Sequence, residues 1–261
     1  MSSNSTMRDR RPAQLVIERL LTEQDGLQPR STLARILGFS PLGQYSRSWY
    51  QGALGEVEVG RILDSLPSGW ATFHALPIGT GDSDVDHLVI GPSGAYAINT
   101  KHHRDKRIWV NGSGLLVEGQ RTHHITNSEH EATRVTRMLR AAIPNFPAVQ
   151  PVVVLVAPKQ VAMKKRPAVV KVIDSRGLRR WLIKQPAAID YEDYERLVTY
   201  LDDPTVWRAH SGVVQDAHAR FFALDREVRI AGVRQTLWKA LALIVGIVVA
   251  INVLPAIISL L

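Results

Sequence analysis

The sequence predicts an α/β domain, a mixed β-sheet flanked by helices, followed by a C-terminal transmembrane helix. Three observations carry this expectation. Short β-rich runs set off by Gly, Pro and Ser alternate with apolar residues at helical spacing. The run 152–157 (VVVLVA) is uninterrupted and apolar, as expected of a central strand covered on both faces. Residues 240–261 carry no charge at all.

The elements follow in order. Residues 1–11 are rich in Ser, Asn and Arg and predict disorder. Residues 12–23 place Leu15, Val16, Leu20 and Leu21 at amphipathic helical spacing. Residues 26–48, with Pro29, Pro41 and Gly43, predict irregular chain. A helix is expected over 52–66, with Leu54, Val57, Ile62 and Leu63 near one face. Strands are expected at 72–76, 86–90, 95–101 and 106–110, with Gly91-Pro92-Ser93-Gly94 as a four-residue turn. Gly112, Gly114 and Gly119 punctuate further hairpins. A helix over 127–142 turns Ala132, Val135, Met138 and Leu139 inward. Strands at 152–157 and 168–173 lead to a helix N-capped by Ser175 and running through Trp181. Helices at 191–201 and 213–234 complete the extramembrane part. The expected division is 1–48, an N-terminal region; 49–184, the α/β domain; 185–236, a helical extension; and 237–261, the anchor.

The chain has 261 residues, 45% hydrophobic and 21% charged, a globular composition that argues against wholesale disorder. It has no cysteine, which excludes disulfide frameworks, cysteine zinc sites, iron–sulfur clusters and thiol catalysis. No Walker A, G-x-G-x-x-G or G-x-S-x-G pattern occurs. The mean hydropathy of -0.05 conceals the segregation of apolar residues into the C-terminus. A helix over 240–261 spans roughly 33 Å, close to the ~30 Å hydrocarbon core. Trp238 and Lys239 stand at its start, as an interfacial anchor and a snorkelling cation would. Arg226, Arg229, Arg234 and Lys239 precede it against Asp225 and Glu227, so residues 1–236 are expected in the cytoplasm. The N-terminal residues lack the apolar stretch of a signal peptide.

The chemistry-bearing residues lie between 55 and 101. In an antiparallel hairpin the start of one strand lies beside the end of the next, so Asp86 should meet Asn99–Lys101. Side chains alternate, so Asn99 and Lys101 share a face. Glu56, on the preceding helix, adds a second acid. Acids, an amide oxygen and a lysine at one sheet edge suit divalent-metal phosphodiester cleavage. Carboxylates hold Mg²⁺ or Mn²⁺, and a lysine stabilises charge on the scissile phosphate.

GALGE, DVDHLVIGPSGAYAINTK, IWV and the downstream VVVLVA together resemble the NERD (nuclease-related) domain, a branch of the PD-(D/E)xK nuclease superfamily. The resemblance covers about 49–158. It implies a restriction-endonuclease-like core, with Glu56 and Asp86 at acidic metal positions and Lys101 as the motif lysine. The family pattern places Glu or Asp at position 99; Asn99 offers a carbonyl oxygen without charge, which should weaken Mg²⁺ binding. Asp82 and Asp84 are candidates to compensate. A non-catalytic nucleic-acid-binding or scaffold module at the cytoplasmic membrane face is the alternative to a metal-dependent nuclease.

Basic residues cluster twice. Arg104, Lys106 and Arg107 follow the motif strand, with Trp109 beside them as a stacking platform for nucleic acid. Between 159 and 184 nine cations, among them Lys164, Lys165 and Arg166, face the single acid Asp174. Such a patch suits phosphates, of nucleic acid or of anionic lipid. His102-His103 and His123-His124 are pairs whose members, on a strand, point to opposite faces and so cannot chelate together. Glu129 and His130, on the helix after the hairpins, fit a solvated face better than an active-site rim.

Overall fold

The computed structural model describes residues 6–78, 84–207 and 214–258, with side chains through 252. After a 3-10 turn at Met7–Asp9 come the helices α1 (Gln14–Asp25), α2 (Thr32–Ile36) and α3 (Ser46–Leu63). Six strands follow: β1 (Ala71–Pro77), β2 (Asp84–Gly91), β3 (Gly94–His102), β4 (Arg107–Asn111), β5 (Gly114–Val117) and β6 (Gln120–Thr122). Then come α4 (His124–Ala142), β7 (Gln150–Val156), β8 (Gln160–Lys165), β9 (Lys171–Asp174), α5 (Ser175–Ile183), α6 (Tyr191–Asp202) and α7 (Ala217–Ile258). The chain divides into two compact units, one of Met1–Glu18 with Ser48–Val213 and the other of Arg19–Arg47 with Val214–Leu261.

The first unit is mixed α/β as expected, but it holds two sheets. The five-stranded sheet runs β1-β2-β3-β7-β9, antiparallel over its first three strands and parallel from β3 onward. The four-stranded sheet runs β6-β5-β4-β8. One core packs Ala132, Val135 and Leu139 of α4 against Phe73, Leu88, Ile90 and Ala97. A second packs Val59 and Leu63 of α3, and Leu178 and Leu182 of α5, against Val89, Ile98, Val152 and Val154. A third joins Ile108, Val110 and Leu115 to Ile125, Val153 and Leu155. Residues 152–155 on β7 are fully buried, because cores cover both faces of that strand.

Three local expectations are corrected, and one strand, β8, is added to those the sequence predicts. Gly91 pairs with Gly94, so the hairpin loop is only Pro92-Ser93, with Gly94 at φ 119°. Residues 160–165 form the exposed edge strand β8, which pairs with β4; its run of Met and Lys lacks an apolar alternation that would announce a strand. The α5 N-cap is Asp174, whose carboxylate accepts from the Arg176 backbone N–H at 3.0 Å, and Ser175 is buried in the first turn. Residues 32–36, expected to be irregular, form α2, with the Ser31 hydroxyl accepting from Ala34 N–H at 3.2 Å.

In the second unit, α7 buries Ala217, Phe221, Asp225 and Ala231 along one stripe. Gly38, at φ +78°, lets the 30–39 segment approach α7 closely. A Cβ there would meet the Gln235 backbone nitrogen at 2.5 Å. Residues 232–252 are exposed throughout. Among the described residues α7 is the one helix long and apolar enough to cross a membrane, and none of its apolar window is buried.

Candidate active site

The five-stranded sheet opens where Asp86 lies. β2 pairs with β3 only as far as His87↔Ile98, whereas β3 continues beside β7 to His102 and β2 continues beside β1 to Asp84. Past the end of the β2–β3 ladder, the Thr100 backbone N–H donates to Asp86 Oδ2 at 2.6 Å instead of to a strand carbonyl. On β1, Ala75 is in the left-handed region at φ 50°; it and Asp86 are the one opposed pair between residues 71 and 77 that drops out of the ladder, and the register is the same on either side. Phe73 and Leu76 consequently enter one core, as do Leu88 and Val85 across from them, although strict alternation would separate each pair. Asp86 is thus left out of both ladders, toward Ala75 and toward Asn99, where its carboxylate accepts from Thr100 N–H. A left-handed non-glycine costs roughly 1–2 kcal/mol, and the fold holds Ala75 in it, with Ala75 O accepting from Arg10 Nε at 2.9 Å.

Asn99 is buried on β3. Its Nδ2 donates to both carboxylate oxygens of Glu131 on α4, at 2.8 and 2.7 Å. Its Oδ1 is buried without a hydrogen-bond partner among the described residues. Glu56 is buried on α3, which lies close to β3: a Cβ on neighbouring Gly55 would stand 3.0 Å from His102 Cβ and 3.2 Å from Thr100 Cγ2.

The electrostatics link these groups. Burial pushes the Glu56 carboxyl well above its ordinary range, and the Asp86 charge adds to this while Lys101 opposes it. Burial likewise raises Asp86, against the pull of Lys101 and the Thr100 N–H. Burial, then Asp86, pushes Glu131 up to about 7, against Asn99 and Lys101. Three acids therefore share the field of one lysine. Within the described residues, however, no group of three or more His, Asp or Glu is drawn together closely enough to ligate a metal.

Two histidine contacts flank this arrangement. His103 and His124 meet Nε2 to Nε2 at 3.1 Å, one from each of the pairs in the sequence. Burial, then the Lys101 charge, lowers His103 and pushes His124 down to about 3, so both imidazoles beside Lys101 are neutral near pH 7. His74 and His87 pair through their Nδ1 atoms at 2.8 Å, both lowered by burial.

Residues 51–156 match the family model of the NERD, nuclease-related domain. Comparison with curated proteins and with solved structures gives no match. The matched segment runs from the first half of α3 to the end of β7. It contains Glu56, Asp86, Asn99, Lys101 and Glu131, and the match agrees with the nuclease-related resemblance expected from sequence.

Glu131 was not among the residues singled out from sequence; Glu129 and His130, its neighbours, were. The signal was the spacing. Glu131 stands three residues after the buried Ser128 and four before the buried Val135, on the inward stripe of α4. An acid on that stripe is the anomaly. Asp84 begins β2 and acts electrostatically on Glu56, and Asp82 lies outside the described residues.

The basic residues disperse. Arg107 and Trp109 lie on β4, with the Arg107 guanidinium carbon 6.0 Å from the Trp109 ring centroid, while Ile108 and Val110 face the core. Arg104 and Lys106 are exposed in the loop before β4. Lys164, Lys165 and Arg166 are exposed on or just after the edge strand β8, beside β4. The other cations of 159–184 belong to different elements. Lys171 sits over Trp181, Arg176 pairs with Asp174 at 2.8 Å, and Arg179 Nε donates to Ser65 O at 2.9 Å. The run is one patch in sequence and several in space.

Proposed function

We propose that the chain is a membrane-anchored, metal-dependent nuclease that cleaves DNA or RNA phosphodiesters at the cytoplasmic face. The observation that carries this reading is the convergence of Glu56, Asp86 and Glu131 on Lys101 within the nuclease-related segment. The donor chemistry fits a hard divalent cation: one buried and two half-buried carboxylates whose charge is unfavourable alone, and the Asn99 Oδ1, unpartnered among the described residues. Glu56, Asp86 and Asn99 would hold Mg²⁺ or Mn²⁺, which supplies an activated water and offsets charge on the phosphate. Thr100 N–H orients Asp86. Asn99 holds Glu131 and so keeps a carboxylate beside position 99, where Asn itself lacks one. Lys101 stabilises negative charge developing on the phosphoryl oxygens. Trp109, Arg107 and the cations of β8 would receive the nucleic-acid strand by stacking and phosphate contacts. The uncharged stretch of α7, entered through Trp238 and Lys239, would cross the membrane, with the preceding arginines on the cytoplasmic side.

The neutral Asn99 favours a second reading, a module that binds nucleic acid without cleaving it. One assay separates the two. The full-length chain in detergent is incubated with single- and double-stranded DNA and RNA and Mg²⁺ or Mn²⁺. Cleavage lost in Asp86→Ala and Lys101→Ala supports the enzyme. Salt-sensitive binding without turnover supports the module, and cleavage that survives both substitutions removes the proposed site.

A further inference from the structure

The segment before the apolar stretch of α7 builds a second polar site, distant in sequence from the nuclease-related residues. Arg30, Arg35, Glu227, Ile230, Ala231 and Arg234 line a pocket of about 190 Å³. Three arginines face one carboxylate. Arg30 Nη1 donates to Phe39 O at 2.8 Å, and Arg30 also pairs with Glu227. Arg234 Nη1 donates to Arg35 O at 2.9 Å. The guanidinium of Arg35 is exposed and has no partner among the described residues. Two arginines are thus fixed by backbone carbonyls, the third is open, and the pocket retains net positive charge.

The same segment carries apolar side chains turned to solvent. Leu33, Ile36 and Phe39 are 65%, 50% and 56% exposed, unusual for a five-residue helix and its exit. Trp238 Nε1 donates to Ile36 O at 2.9 Å, so α2 is pinned to α7 at the level of the interfacial tryptophan. Arg234 stands six residues before the uncharged run, roughly 9 Å along the axis. A headgroup layer is about 5–8 Å deep on each side, within reach of a snorkelling arginine.

We infer that Arg30, Arg35 and Arg234 bind the phosphate of an anionic lipid headgroup, while Leu33, Ile36 and Phe39 dip into the interface beside it. Arginine forks match phosphate oxygens, and the apolar rim places the pocket where lipid phosphates lie. This inference rests on the membrane-anchored reading of α7.

The test uses the full-length chain in nanodiscs of phosphatidylcholine with and without phosphatidylglycerol, followed by native mass spectrometry of retained lipid. Phosphatidylglycerol is expected to be retained over phosphatidylcholine. Arg35→Gln and Arg234→Gln should each reduce that preference about fivefold, the effect of one cation near an anionic surface. Glu227→Gln, which removes the pocket's single acid, should increase it. Equal retention of the two lipids, or a preference unchanged in both arginine variants, overturns the inference. Displacement of the lipid by inorganic phosphate also overturns it, since the site would then take free phosphate. Failure of the chain to enter nanodiscs at all sinks the anchor itself, which distinguishes that outcome from a chain that inserts without lipid preference.

Discussion

The Asn99 amide donates to both oxygens of Glu131, joining the middle of β3 to the inward face of α4. Asn99→Glu would press a second carboxylate against one already raised by burial. A buried acceptor that loses its donor costs about 1–3 kcal/mol. Asn99→Glu should therefore lower the melting temperature at pH 8 without divalent cation, and Mg²⁺ should restore it by more than it raises wild type. Scanning fluorimetry with and without Mg²⁺ decides this, and an unchanged melting temperature would remove the Asn99–Glu131 coupling.

Glu131 gives a pH signature. Its folded pKa of about 7 exceeds the ordinary carboxyl value of 4.5, so the folded chain binds more protons than the unfolded one in this window. Wild type then loses stability as pH rises from about 4.5 to about 7, by up to about 3 kcal/mol from this group, and the penalty is constant above. Glu131→Gln abolishes it. Urea titrations of wild type and variant from pH 4.5 to 8 should diverge in favour of the variant; parallel curves would mean that Glu131 ionises freely.

The buried His74–His87 contact acts in the opposite sense. Both folded pKa values lie below the ordinary 6.5, so the unfolded state binds the protons. This pair's stabilisation is complete above about pH 6.5 and is lost as pH falls below it. Histidine NMR should find His87 neutral at pH 6; an imidazolium there would contradict the burial described.

Gly55→Ala sets two effects against each other. Alanine gains about 1 kcal/mol of helix propensity over glycine, while the methyl at 3.0 Å from His102 Cβ forces a shift that costs about 1–3 kcal/mol. The melting temperature should change little or fall slightly. α3 must move a few tenths of an ångström from β3 and carry Glu56 with it, so cleavage by the proposed nuclease should fall by more than tenfold. Cleavage rates at matched folded fraction check this.

A charge in the apolar stretch probes the anchor. An arginine at the centre of a membrane helix costs about 2.5–3.5 kcal/mol on insertion scales. Val248→Arg should shift the chain from the carbonate-resistant membrane fraction toward the soluble one, whereas Arg226→Gln should not. Equal fractionation of Val248→Arg and wild type would argue against α7 as the anchor.

Much of this architecture was legible from local pattern. The hairpin that brings Asp86 to the end of β3, the covered strand at 152–155 and the inward Ala132, Val135 and Leu139 follow from periods of two and 3.6. β8 was hidden because an edge strand needs no apolar face. The second sheet was hidden because its pairing of β4 with β8 joins residues some fifty apart in sequence.

The sequence alone determined the segregation of an uncharged C-terminal helix from a polar α/β body, and the order Glu56, Asp86, Lys101, since both are written in composition and local spacing. Tertiary structure decided the rest of the candidate site. Only packing α4 across β3 brings Glu131 to Asn99, only the end of the β2–β3 ladder frees Thr100 N–H for Asp86, and only chain folding joins His103 to His124. Hydrogen bonds and desolvation act over a few ångströms, and no sequence period reports which distant residues come within that range.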